Sequence, residues 1–297
     1  MGAVALEKVI RGEIRLKEPM SRHTSFGIGG PVDYWVEPTD VEEIKHLLLW
    51  IRENSLPWMV IGNGSDLLFS DRGLPGVALS VKKACRGIDG QGEEVFVGGG
   101  ENLSSLINWT IEHSLSGLEF TAGIPGTVGG AVVTNAGAFG TQISEKVERL
   151  WFLDGTGKEQ VLFRKEIDFY YRGSSLPPNI VLTRVELKLK REQSPTIKLK
   201  VKETLEKRWQ TQPLASASAG CIFKNPPGRS AGEVIDSLGL KGRRVGDAQV
   251  SLLHANFIIN LGNARAQDVI TLMEKIQLEV KSRLGLILEP EIKIVGC

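Results

Sequence analysis

The sequence predicts a mixed fold, α/β or α+β, because amphipathic helical segments alternate along it with short strand-like apolar runs. The segment "PTDVEEIKHLLLWIRENSLP" places Ile44, Leu47, Leu48 and Ile51 on one helical face. The next run, Trp58–Gly62, is short and apolar and follows a proline, which is typical of a buried strand. The same alternation recurs further along the chain.

The remaining elements are predicted in order from the same signals. Thr39 and Glu42 have the spacing of a capping box at the start of the first helix. Further strands are expected at Gly76–Val81, Glu94–Gly100, Val147–Asp154 and Ile180–Lys190, from His254 onward, and in the final "LEPEIKIVG". Further helices are expected at about 103–114, 197–208 and 266–284.

The last of these helices carries an apolar stripe that we interpret as core and not as a cofactor box. Its members recur at helical spacing, and they are Val269, Leu272, Met273, Ile276 and Val280.

Composition excludes several classes of protein. The 297 residues suffice for two or three domains, and 41% of them are hydrophobic, as expected of a globular chain with a core. A formal net charge of +1 gives no basic face for nucleic acid. No apolar run approaches the roughly 20 residues that span a bilayer, and charges interrupt the N-terminal apolar run as they would not in a signal peptide. We therefore expect a cytoplasmic protein.

Two glycine-rich segments indicate a ligand with phosphate groups. "GNGSDLLFSD" follows a strand directly, and its glycines allow successive backbone N–H groups to form an anion-binding nest. A plain glycine turn between strands is the alternative for this segment. "GIPGTVGGAVVTNAGAFG" adds a second stretch of small residues and hydroxyls. Neither contains a dinucleotide G-x-G-x-x-G fingerprint or a P-loop. Together they suggest an extended nucleotide cofactor.

Cys221 lies in "SAGCIFKNP" and has several possible roles. The three cysteines are far apart and form no C-x-x-C pair, so neither a zinc site nor a disulfide framework is indicated. A lone cysteine is most often a small buried hydrophobe. An ordinary thiol has a pKa of about 8.5 and is mostly protonated at neutral pH, so an acid role is also open.

Seven segments of the chain carry a resemblance when they are taken in order. They are "HTSFGIGG", "GNGSDLLFSD", "GIPGTVGGAVVTNAGAFG", "YYRGSS", "SAGCIFKNP", "VGDAQVSLLHANFIIN" and "LEPEIKIVG". Together they closely resemble the UDP-N-acetylenolpyruvoylglucosamine reductases. The resemblance covers the chain from about His23 to Gly296 and fits the shorter subtype, which lacks a tyrosine-bearing loop. This leaves the contacts to the substrate diphosphate open.

The resemblance implies an α+β protein with a two-subdomain FAD-binding region of the vanillyl-alcohol-oxidase type and a C-terminal α+β substrate-binding domain. It implies FAD-binding subdomains at 1–82 and 83–192 and a substrate-binding domain at 193–297, with 286–297 near the active site. The implied FAD contacts are Gly62, Asn63, Gly64, Ser65, Asp66 and Leu67 in the first loop, and Gly123, Ile124, Pro125, Gly126, Gly129, Gly130, Asn135, Ala136 and Gly137 in the second.

The resemblance also implies an activity and its catalytic residues. The reaction is the NADPH-dependent reduction of an enolpyruvyl ether of a UDP-sugar, a CH–CH oxidoreduction in peptidoglycan precursor synthesis, with FAD bound non-covalently. Arg172 and Glu291 match the catalytic arginine and glutamate, and Cys221 stands where many members have the proton-donating serine. Substrate contacts are implied at Tyr171, Lys224 and Asn225. No metal, membrane, nucleic acid or obligate protein partner is expected.

Other interpretations remain for these residues taken singly. Arg172 is compatible with an ion pair to Asp168 or Glu166, and Glu291 with a solvated strand position. A cysteine hydrolase is a further alternative, since its Cys-His-Asn arrangement could be supplied by Cys221, His254 and Asn225. We nevertheless favour a structural role for His254. Another flavoprotein of the same fold, or an inactive FAD-binding module, would share the glycine loops.

Overall fold

The structure, a computed structural model, describes residues 6–296. Cys297, one of the three cysteines, lies outside this range. The strands are, in chain order, β1 (Glu13–Pro19), β2 (Pro31–Glu37), β3 (Trp58–Ile61), β4 (Leu67–Phe69), β5 (Leu74–Ser80), β6 (Ile88–Gln91), β7 (Glu94–Gly98), β8 (Leu115–Ser116), β9 (Gly137–Ala138), β10 (Thr141–Gln142), β11 (Val147–Leu153), β12 (Glu159–Phe163), β13 (Phe169–Tyr170), β14 (Gly173–Ser174), β15 (Val181–Lys188), β16 (Lys190–Arg191), β17 (Arg244–Val245), β18 (Ala248–Val250), β19 (Ile258–Asn260) and β20 (Lys293–Val295).

The α-helices are α1 (Val41–Glu53), α2 (Leu103–Glu112), α3 (Val128–Val133), α4 (Ser194–Thr211), α5 (Ala231–Ser237) and α6 (Ala266–Leu284). Single 3-10 turns occupy Met20–His23, Glu119–Thr121, Ile143–Glu145 and Arg164–Glu166. Within the described residues, no helix combines the length and the apolar character needed to cross a bilayer.

The chain divides into two compact units. The first contains the described residues up to Leu16, with Asp33–Gly62 and Pro75–Glu206; the second contains Lys17–Val32, Asn63–Leu74 and the described residues from Lys207 onward. The predicted functional boundaries at 82 and 192 stay a prediction.

The first unit contains two hydrophobic cores, each on its own sheet. A four-stranded sheet has the order β1-β2-β5-β3, and the buried face of α1, with Leu47, Leu48 and Ile51, packs in one core with Val77 and Leu79 of β5. An antiparallel five-stranded sheet has the order β12-β11-β15-β7-β6. Its core includes buried residues of α2 and α3.

The cap of α1 differs by one residue from the prediction at Thr39 and Glu42. Asp40 is the N-cap, and its carboxylate accepts a hydrogen bond from the Glu43 amide at 2.9 Å. Glu43 in turn accepts from the Thr39 amide at 3.0 Å. Glu43 is buried whereas the predicted Glu42 is exposed, so the acidic side chain that turns back to the start of the helix is Glu43.

The second unit is organised around helix α6, whose predicted bounds and apolar stripe are confirmed. Val269, Leu272, Met273, Ile276 and Val280 are all buried in one core with α5 and the sheet β17-β18-β19. Strands β4 and β20 pair in parallel. The strand predicted from His254 begins only at Ile258, because His254–Phe257 form a turn closed by a 3.0 Å hydrogen bond from the Phe257 amide to the His254 carbonyl.

Candidate functional site

The first glycine loop connects β3 to β4 and is shaped by backbone packing. Gly64 is buried and has φ +60°, and a Cβ placed on it would lie 2.1 Å from the carbonyl oxygen of His23. A Cβ on Gly62 would lie 2.4 Å from the Thr127 hydroxyl oxygen. Only glycine fits at these two positions, because the loop packs directly against the His23 backbone and the Thr127 side chain.

The second glycine segment contains a short helix that its composition did not predict. The Thr127 hydroxyl caps α3 by accepting from the Gly130 amide at 3.3 Å, and the Gly129 amide donates to the Gly99 carbonyl at 2.8 Å. Because a Cβ on Gly129 would lie 2.8 Å from that same carbonyl, glycine allows this close approach. Gly123, Pro125 and Gly130 remain exposed.

A third segment, Gly98–Asn102, supports the second loop and was missed in the sequence. Val128 donates through its amide to the Glu101 carbonyl at 2.8 Å, and Leu103 donates to the Gly126 carbonyl at 3.0 Å. The available signal is the run of three glycines, Gly98 to Gly100, which the prediction assigns to the strand Glu94–Gly100 alone.

These residues fit a flavin dinucleotide. Within the first unit, Gly62 at the end of β3 lies against Thr127 of the second glycine segment. Gly130 is exposed, and the space beside its Cα is open, since a Cβ placed there would meet only the Thr127 hydroxyl, at 3.3 Å. Backbone donors, small hydroxyls and glycine surfaces are the groups that bind a pyrophosphate and allow a flat ring to approach. All the predicted FAD contacts stay predictions. They are Gly62, Asn63, Gly64, Ser65, Asp66 and Leu67 in the first loop, and Gly123, Ile124, Pro125, Gly126, Gly129, Gly130, Asn135, Ala136 and Gly137 in the second.

Arg172 lies at the tip of the hairpin formed by β13 and β14. Its φ of +58° is unusual for a residue other than glycine, a conformation that surrounding structure must hold in place. The guanidinium carbon lies 4.9 Å from the centre of the Tyr171 ring. The Tyr170 ring lies against Gly173, where a Cβ would come within 2.2 Å of it. The Arg172 Nη1 atom lies against Gly137, 3.3 Å from where a Cβ would stand.

Cys221 and Glu291 belong to one backbone ladder in the second unit, although 70 positions separate them in the sequence. Cys221 forms an antiparallel bridge with Phe257, and Phe223 forms one with Pro290. The Glu291 amide donates to the Ile222 carbonyl at 2.7 Å. Both side chains are half-buried. Cys221 is thus partly accessible, unlike Cys85, whose thiol pKa burial raises to about 12.

The "HTSFGIGG" segment links the first glycine loop to the Cys221 segment. The Ser25 amide donates to the Gly64 carbonyl at 3.2 Å, and the Ser25 hydroxyl donates to the Ser218 carbonyl at 2.7 Å. Asn260 donates through its side chain to the Phe26 carbonyl at 3.0 Å. All of these contacts lie in the second unit. Sequence reasoning had matched this motif without giving it a role.

Side chains near Cys221 serve structural contacts. The Asn225 amide oxygen accepts from the Ala231 amide at 2.9 Å, at the start of α5, and the Lys224 ammonium lies 3.6 Å from the Glu289 carboxylate. His254 Nδ1 accepts from the Asn256 amide at 3.2 Å, and its ring lies 4.9 Å from the Phe257 ring. Burial lowers the pKa of His254, and the Lys241 charge adds to this effect. These contacts favour the structural role for His254 over a hydrolase triad.

Among residues 6–296, no group of three or more His, Cys, Asp or Glu side chains is arranged to hold a metal ion.

Comparison with known proteins first defines a class. Residues 32–162 match the family model described as an FAD binding domain. The structure superposes on berberine bridge enzyme from Eschscholzia californica with a TM-score of 0.50 at 16% identity, over 65% of this chain and 44% of that one, a likeness in fold alone. The chain therefore contains an FAD-binding domain, and the predicted α+β fold of the vanillyl-alcohol-oxidase type is confirmed.

The particular family follows from closer matches. Residues 212–295 match the C-terminal domain of UDP-N-acetylenolpyruvoylglucosamine reductase. The reductase of that name from Caldanaerobacter subterraneus subsp. tengcongensis is 41% identical over 98% of this chain and 97% of its own length. The crystal structure of the reductase from Thermus caldophilus has a TM-score of 0.81 at 38% identity, covering 96% of this chain and 99% of that one. The chain belongs to the UDP-N-acetylenolpyruvoylglucosamine reductase family.

Proposed function

We propose that the protein reduces UDP-N-acetyl-3-O-(1-carboxyvinyl)-glucosamine to UDP-N-acetylmuramate, with NADPH as co-substrate and non-covalent FAD, in the cytoplasm. The observation that carries the proposal is similarity, over 98% of this chain, to a protein named UDP-N-acetylenolpyruvoylglucosamine reductase. In addition, Arg172, Cys221 and Glu291 all lie in segments that resemble the motifs of that family. The two glycine loops and the segment that supports them would hold the cofactor. Tyr171, Lys224 and Asn225 are proposed substrate contacts.

FAD held at the two glycine loops would supply hydride chemistry, with NADPH as the source, for addition at the terminal vinyl carbon of the substrate. The chain's own residues then have two tasks. Negative charge builds on the adjacent carbon and its carboxylate, and a guanidinium beside that carboxylate stabilises the charge as it develops. Arg172 has this task in our proposal, with Glu291 sharing a hydrogen bond with the carboxylate or orienting the guanidinium.

The second task is protonation of the carbon that bears the ether oxygen. Cys221 is the proposed donor, since a protonated thiol is an acid whereas a nucleophilic cysteine needs its thiolate stabilised. The thiolate left behind recovers its proton from solvent. The hydride and this proton together complete the two-electron reduction of the double bond. A general acid of this kind contributes roughly 10²–10⁴-fold to the rate.

Separate measurement of the two half-reactions tests this proposal. Anaerobic stopped-flow absorbance would follow flavin reduction by NADPH and then reoxidation by the enolpyruvyl nucleotide. In Cys221→Ala, reduction should proceed at close to the wild-type rate, and reoxidation should slow by about a hundredfold or more. Cys221→Ser should recover much of this loss, because a hydroxyl then occupies the same position.

Three results would count against the proposal. Unchanged reoxidation in Cys221→Ala would remove Cys221 as the proton donor. A serine variant as slow as alanine would indicate a nucleophile instead. Failure of the wild-type reduced enzyme to react with the enolpyruvyl nucleotide would refute the proposed substrate.

A further inference from the structure

Asn135 has a fully buried side chain that joins three separate elements of the first unit. Its amide nitrogen donates to the Gln142 side-chain oxygen and to the Tyr170 carbonyl, both at 3.0 Å. Its amide oxygen accepts from the Ser144 backbone at 3.3 Å. The relative exposure of the residue is 0%. The side chain thus makes three hydrogen bonds inside the protein, two as donor and one as acceptor. These hydrogen bonds give Asn135 a structural role that is distinct from the FAD contact implied by the family resemblance.

One of these partners belongs to the hairpin that carries Arg172. Tyr170 ends β13, two residues before Arg172, so the hydrogen bond to its carbonyl fixes the base of the hairpin tip. A second tether is the Ser174 hydroxyl, which donates to the Val133 carbonyl at the end of α3 at 2.9 Å. The Arg172 guanidinium itself lies against Gly137, two residues beyond Asn135.

The residue type at this position follows from two requirements. Asn135 has φ +47°, a conformation that glycine and asparagine adopt more readily than other residues. Glycine would satisfy the backbone but would leave the Tyr170 carbonyl without this donor. Aspartate has the same shape but, when ionised, it only accepts hydrogen bonds and would face the Tyr170 carbonyl with a repulsive oxygen.

We propose that Asn135 is a positioning residue for Arg172. Its buried amide holds the Phe169–Ser174 hairpin against the second glycine loop, and this contact helps keep Arg172 in its positive-φ conformation with the guanidinium along Gly137. Asn135 need not touch substrate to do so. The kinetic part of the inference rests on the proposed function, in which Arg172 binds the substrate carboxylate.

A readout independent of substrate is hydrogen exchange of the hairpin in the FAD-loaded enzyme. Asn135→Gly removes the side chain and keeps the backbone unstrained, so exchange in the peptide covering Phe169–Ser174 should quicken by about fivefold or more for the lost hydrogen bonds. Thr110→Val is the matched control, because it removes a buried hydroxyl that donates within α2 to Ile107 at 2.8 Å. Its hairpin exchange should equal that of wild type.

A double-mutant cycle provides the kinetic readout. Reoxidation of reduced enzyme by the enolpyruvyl nucleotide should slow by roughly tenfold or more in Asn135→Gly, since a displacement of ~1 Å at a reacting group can cost ~10²-fold. In an Arg172→Lys background the same change should add less than about twofold, because the guanidinium it positions is already lost. Thr110→Val should leave reoxidation unchanged in both backgrounds.

The outcomes separate this inference from the proposed function. Hairpin exchange equal to wild type in Asn135→Gly, or an equal slowing in both Arg172 backgrounds, would overturn the positioning role. Wild-type enzyme that does not react with the nucleotide would refute the proposed function, while the exchange result would still decide whether Asn135 fixes the hairpin. If Asn135→Gly fails to fold, Asn135→Asp, which keeps the acceptor for Ser144, takes its place in both measurements.

Discussion

Replacing Gly64 by alanine should destabilise the second unit and lower the FAD content of the purified protein. The new Cβ would stand 2.1 Å from the His23 carbonyl oxygen, where ordinary contact begins at 3.4 Å, so the two backbones must separate by about 1.3 Å. The residue would also hold φ +60°, which L side chains rarely adopt. Both effects act at the loop proposed to bind the pyrophosphate.

The magnitude follows from what holds the His23 backbone in place. Ser25 donates through its amide to Gly64 and through its hydroxyl to Ser218, and retreat of the segment would lengthen both bonds. The left-handed conformation costs alanine about 1–2 kcal/mol. Two hydrogen bonds at about 1 kcal/mol each bring the expected loss in the free energy of unfolding to roughly 3–4 kcal/mol.

Gly239→Ala is the matched control, because Gly239 has φ +68° in the same unit and a Cβ there would meet nothing within 4 Å. It should show only the conformational cost of about 1–2 kcal/mol. Urea unfolding would measure both variants, and the ratio of flavin to protein absorbance would measure FAD content. Equal losses of stability in the two variants would refute the packing argument. Full FAD content in a destabilised Gly64→Ala would refute the assignment of this loop to the cofactor.

Three further predictions concern other parts of the molecule. Burial alone would raise the pKa of Glu43, but hydrogen bonds from the Thr39 amide and from Arg11 lower it to about 2 from an ordinary 4.5. The contribution of Glu43 to stability is therefore present above pH 4.5 and is lost as the pH falls toward 2. The Tm measured over this interval should fall less in Glu43→Gln than in wild type or in the exposed control Glu42→Gln. Identical curves of Tm against pH would contradict this. The Asp71 carboxylate accepts from the Ala266 amide at 2.8 Å and the Gln267 amide at 3.1 Å, so Asp71→Ala should cost about 1 kcal/mol in urea unfolding as a lost helix cap, and no loss would show that water replaces it. Arg172→Lys keeps a cation but loses the planar fork, so turnover of the enolpyruvyl nucleotide should drop while FAD content stays normal; wild-type turnover would make Arg172 structural.

Local signals in the sequence were sufficient to predict the elements whose sequence pattern repeats within one or two helical turns. The bounds of α6 agree with prediction because its apolar stripe recurs every three to four residues and Gly285, at φ +67°, ends it. The family motifs were equally readable, since they depend on residue order alone. A cap shifted by one residue at Asp40 marks the limit of such reasoning.

The sequence by itself therefore determined the four longer helices, seven of the twenty strands in the described residues, the glycine loops and the identity of Arg172, Cys221 and Glu291 as candidates. Only the tertiary structure decided how these residues are held. The short helix at Val128–Val133 depends on contact with Gly99, the Cys221 segment is tied to the first loop through Ser25, and Asn135 reaches the Tyr170 carbonyl 35 positions away. Each is a hydrogen bond or close approach between segments distant in the chain, and periodicity and turn propensity carry no information about which distant backbone will supply the partner.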